Sequence, residues 1–133
     1  MKVIVCRVGH RAVVEDIDTS LEALQNVVGG LIECNYNFFY DDVVIVADEE
    51  SKLGAKEQNR ILVNDGRIVD IVYGDFFLCG AGDEEFADMP EDKIEKYLHL
   101  MNASSVYWLN KRLNDVISQY EPEKVEETAE SIA

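Results

Sequence analysis

Short runs in which apolar and polar positions interchange open the chain. Residues 2–8, KVIVCRV, and 12–17, AVVEDI, predict two strands, and the GHR between them, with Gly9, reads as a hairpin connection. The period then lengthens. Leu21, Leu24, Val27 and Val28 fall on one face at helical spacing; Thr19 is placed to cap that helix, and Glu22 completes a capping box. Gly29 and Gly30 end it, since a glycine just past a helix takes the left-handed conformation without steric cost. Strand period returns at 31–38, where Ile32, Cys34, Tyr36 and Phe38 share one face and Leu31, Glu33, Asn35 and Asn37 the other. VVIVA, 43–47, is apolar on both faces and predicts a central strand. The polar stretch DEESKLGAKEQNR, 48–60, reads as a loop. ILVNDGRIVDIVYG predicts a hairpin around Asn64-Asp65-Gly66, and DFFLCG, 75–80, is a further strand, with Gly74 marking a bulge or bend.

After the acidic loop GAGDEEFADMP, Asp88 and Glu91 form a second capping box with Pro90 in the first turn, and Ile94, Tyr97, Leu98 and Met101 make the buried stripe of a second helix. NASS, 102–105, is a seam. Beyond it Val106, Leu109, Leu113, Val116 and Tyr120 recur at spacings of three and four for little more than two heptads. That stripe suits a helix docking on the domain, or one meeting a partner or a second copy of the chain as a homodimer. The tail, 121–133, is acidic, lacks an apolar stripe and reads as disordered. These elements predict an α+β domain over 1–101, with a largely antiparallel or mixed sheet of five to six strands. The helices at 20–28 and 89–101 are expected to cover one face of it, followed by a C-terminal helix over 102–120. Hairpin signals outnumber crossover helices, which argues against a doubly wound parallel sheet.

Composition narrows the function. The 133 residues are 47 % hydrophobic and 29 % charged, as in globular proteins, with no apolar run long enough to span a bilayer and no signal-peptide pattern. The expectation is a cytoplasmic protein away from membranes. Cys6, Cys34 and Cys79 are odd in number, lack CxxC spacing and sit in strand-like segments, so buried reduced thiols are expected. The net charge of −15 disfavours direct nucleic-acid binding, which draws its affinity from lysine and arginine, and suits solubility, a basic protein partner or imitation of nucleic acid.

Motifs for catalysis are weak. GAG at 80–82 is half a dinucleotide fingerprint, followed by acid where a helix should meet phosphate. His10 and His99 have no ligands at zinc spacing, and the clusters Asp41-Asp42, Asp48-Glu49-Glu50 and Asp83-Glu84-Glu85 lack the alternation of a calcium loop. No catalytic residue, metal site or cofactor is assigned; a magnesium-dependent hydrolase built on Asp48, Glu49 or Glu33 has the least support. Asn59-Arg60 is more informative. An arginine at the end of a polar loop can fork to a carboxylate or phosphate, and Glu33 is a sensible partner for it, either as a structural brace or within a site. A small-ligand or nucleotide pocket would then use Glu33, Tyr36, Asn59, Arg60 and Phe76. A protein interface would instead use Glu84 and Glu85 with Val106, Leu109, Leu113 and Val116.

SLEALQNVVGGLIE, VVIVADEESKL, QNRIL, VDIVYGDFFLCG and KIEKYL, in that order and spacing, resemble a small domain-of-unknown-function family of phages, plasmids and conjugative elements. The resemblance covers about residues 1–101. Gln58, Ser51 and Asp75 stand where that family usually has proline, glycine and threonine. The resemblance implies no activity. It implies a setting in mobile DNA, where small acidic proteins often act against host defences by imitating DNA or by binding a partner or a small signalling nucleotide. The function expected is therefore a non-enzymatic acidic binding protein with a protein partner.

Overall fold

The computed structural model describes residues 1–35, 39, 41–48, 56–83 and 85–120, with residues 34 and 35 described for their backbone. Five strands make the main sheet in the order β2 (Val13–Asp16), β1 (Lys2–Cys6), β7 (Phe76–Ala81), β4 (Val43–Asp48), β3 (Ile32–Asn35), and the short β8 (Phe86–Ala87) adds to β7. Every pairing is antiparallel, with Ile45 and Ile4 both opposite Leu78 at the centre. A separate hairpin, β5 (Gln58–Asn64) and β6 (Arg67–Tyr73), stands off the sheet. The helices are α1 (Leu21–Val28), α2 (Ile94–Ala103) and α3 (Val106–Ile117). The fold is α+β with a C-terminal helix, and no helix among the described residues is long and apolar enough to cross a membrane.

The layers follow from β4 and β7. Both strands are apolar on both faces, so both faces need a cover. Val3, Val5, Val44, Val46, Phe77 and Cys79 point to one side and meet Leu24 and Val28 of α1. Ile4, Cys6, Ile45, Phe76 and Leu78 point to the other and meet Tyr97 and Met101 of α2 with Leu62 and Val72 of the hairpin. The two helices therefore lie on opposite faces. This corrects the expectation that both cover one face, which would leave half of β4 and β7 wet.

Two helix starts differ from the sequence reading. Ser20, not Thr19, caps α1: its hydroxyl accepts from the Ala23 N–H at 3.2 Å, and Ala23 cannot complete a capping box. Asp88 does not cap α2. Its Oδ1 accepts the Lys2 N–H at 2.7 Å, tying the segment to β1, and a 3-10 turn, Glu91–Lys93, leads into the helix at Ile94.

The double glycine serves one knot. Gly29 closes α1 in the left-handed conformation at φ 73°, its N–H donating to the Gln25 oxygen at 2.8 Å. Lys56 then donates to the Val28 oxygen at 2.9 Å and pairs with the Asp48 carboxylate at 2.5 Å. A Cβ on Gly30 would stand 2.7 Å from that carboxylate. Gly74, at φ 74°, leaves room for the Lys56 stem in the same way.

Candidate functional site

Strand β5 begins at Gln58, so Asn59 and Arg60 lie inside a strand and not at the end of a loop. Both are sealed, Asn59 at 1 % and Arg60 at 0 % exposure. The Asn59 amide donates to the Cys6 and Gly74 oxygens, each at 2.8 Å, and its own oxygen accepts from Arg60. The Arg60 guanidinium donates to the oxygens of Met101 at 2.7 Å, His10 at 2.7 Å and Arg7 at 3.4 Å. Its charge is met by neutral oxygens alone among the described residues. Met101 supplies one of the orphan carbonyls in the last turn of α2, at the negative end of the helix dipole, where a cation is favoured. Burial lowers the pKa of Arg60, with the nearby Cys6 acting in the opposite sense. Burial also pushes the Cys6 thiol up to about 12, against the pull of the Arg60 charge, which makes it a poor nucleophile.

Glu33 is exposed on β3, at the edge of the sheet away from β1 and β2, and does not pair with Arg60. Phe76 is 0 % exposed in the core, beside Cys6 in register, and Tyr36 lies outside the described residues. Asn59 is hydrogen-bonded to Cys6, the register partner of Phe76; Asn59, Arg60 and Phe76 are all sealed from solvent, and the pocket expected from Glu33, Asn59 and Arg60 is not assembled. The physical reason is the set of carbonyls at the end of α2 and in the β1–β2 turn, which draw the guanidinium inward.

What the knot positions is the seam at 101–105. The Ile61 N–H donates to the Ser104 oxygen at 3.0 Å, Arg60 bridges Ser105 across an antiparallel step, and the Asn102 side chain accepts the Ala12 N–H at 2.8 Å. Ser105 then caps α3, its hydroxyl accepting from the Trp108 N–H at 3.5 Å. The root of α3 is fixed, but its body is bare: Val106 and Leu109 are half-buried, and Leu113, Val116, Ile117 and Tyr120 are 57, 46, 43 and 58 % exposed. Glu85 is exposed before β8, and Glu84 lies outside the described residues.

Residues 1–102 match the profile of a family described as a domain of unknown function, DUF3846. The chain belongs to this family. No curated protein and no solved structure matches. The DUF3846 match ends one residue before α2 does, so it holds the Arg60 knot, while α3 lies beyond it.

Sequence reasoning missed a second surface next to this DUF3846 body. Trp108, Lys111 and Arg112 of α3 stand with Arg11 of the β1–β2 turn and His99 of α2 around one groove. Its signal was a basic pair, Lys111-Arg112, three and four residues after the chain's one tryptophan in an otherwise acidic sequence. Among the described residues no group of three or more His, Cys, Asp or Glu side chains could hold a metal ion.

Proposed function

We propose that this chain is a non-enzymatic acidic binding protein that engages a protein partner through α3. The observation behind the reading is the apolar stripe of Leu113, Val116, Ile117 and Tyr120, left uncovered on a helix whose root is held by buried polar contacts. A contiguous apolar face on a rigidly anchored helix suits a partner that offers an apolar groove to it. The net charge of −15 adds long-range attraction toward a partner with a basic rim. Counter-defence, DNA mimicry included, is the use that fits the mobile-element setting implied by the resemblance.

Capture on the immobilised full chain, with Leu113→Glu beside the unchanged protein over a salt series, tests this. A partner retained by the unchanged chain, lost on Leu113→Glu and weakened by salt supports it. Equal capture by both baits at every salt concentration overturns it.

A further inference from the structure

Helix α3 has a second face. Trp108, Lys111, Arg112 and Asp115 recur three and four residues apart and line a groove of about 520 Å³ with Arg11 and His99. The apolar stripe of Leu113, Val116 and Tyr120 projects elsewhere on the helix, so the two surfaces are separate. Three of the chain's 12 lysines and arginines converge here, beside one carboxylate, Asp115. Trp108 organises them. The Arg11 guanidinium carbon lies 5.8 Å and the Lys111 ammonium 5.2 Å from its ring centroid, so the indole steadies two cations that would otherwise wander. Arg11 is itself carried on the turn whose His10 oxygen accepts from buried Arg60, so the groove is built on the same knot.

We propose that this groove binds a small phosphate-bearing anion, of the class of pyrophosphate or a nucleoside polyphosphate. Its volume is that of a small-ligand site, commonly about 300–1,000 Å³. Guanidinium groups supply forked donors for phosphate oxygens, and Lys111 supplies a point charge. The size limit comes from the rest of the molecule. A net charge of −15 repels an extended polyanion along its whole length, whereas a compact anion feels chiefly the local cations.

Trp108 is the chain's one tryptophan, so its fluorescence reports from the groove itself. The full chain is titrated with pyrophosphate, ATP, adenosine and a short DNA duplex, with calorimetry on the same samples to read binding that leaves the indole unmoved. Saturable binding of pyrophosphate or ATP, without adenosine binding, is expected. Lys111→Glu/Arg112→Glu, at two exposed positions where substitutions change stability little, is expected to weaken it about tenfold or more. Leu113→Glu is expected to leave it unchanged, which separates this site from the partner-binding face. The proposal is overturned if neither phosphate compound binds, if adenosine binds as well as ATP, if the double charge reversal binds equally, or if duplex DNA binds more tightly than ATP.

Discussion

Arg60 and Met101 stand 41 positions apart, and the guanidinium Nε of one donates to the main-chain oxygen of the other at 2.7 Å. This contact joins the β5–β6 hairpin to the end of α2. With the bonds to Arg7 and His10 it also holds the β1–β2 turn. Both candidate surfaces, the bare stripe of α3 and the basic groove, rest on that junction.

Arg60→Ala should therefore destabilise the protein by about 3 kcal/mol, since it strands several buried oxygens and opens a cavity. Arg60→Lys, which keeps the charge but not the fork, should recover only part of this. Urea unfolding of the three proteins checks the order. Equal midpoints for Arg60→Ala and the unchanged chain would mean that the knot is decorative.

Gly30→Ala should cost about 1–3 kcal/mol, the range for overpacking a tight site. The added methyl would collide with the Asp48 carboxylate and displace it from Lys56, which caps α1. Thermal melting reads the loss. Asp48→Ala in the same background should make Gly30→Ala far less harmful, because the colliding group is gone.

Acid should expose a third contact. Hydrogen bonds from Lys93, the Asp42 N–H and the Tyr97 hydroxyl hold the Asp41 pKa down at about 2. A carboxylate depressed in the folded state stabilises above its unfolded pKa of about 3.9. That contribution is lost as pH falls from there through about 2. The melting temperature of Asp41→Asn should lie below that of the unchanged chain at pH 6, and the gap should close as the pH is lowered through this window. A gap that stays constant with pH would assign the difference to something other than the charge.

Much of the fold was legible because its signals are local. The alternation around Ile4 and Cys6, the doubly apolar Val43–Val46 run and the glycine corner each fix their own segment. The misreadings came from choices that distant groups decide. Thr19 and Ser20 are both good caps, and only the start of α1 selects between them. Asp88 fits a capping box by spacing, yet the Lys2 N–H of β1 uses its carboxylate. Arg60 beside a polar stretch looks like a surface residue until the carbonyls at the end of α2 are brought to it. The α3 stripe was legible in the spacing of Leu109, Leu113 and Val116. The groove was not, because Arg11 and Trp108 are 97 positions apart and meet only in the folded chain.

We propose that the apolar face of α3, exposed at Leu113, Val116, Ile117 and Tyr120, meets a protein partner. Leu113→Glu/Val116→Glu, melted and used as capture bait beside the unchanged full chain, tests it most directly. The double variant should keep its stability within about 0.5 kcal/mol of the unchanged chain, as for exposed positions, and lose the captured partner. A large drop in stability would show that the face is packed, and an undiminished partner would show that it is not the binding surface; either result overturns the partner-binding role proposed for α3.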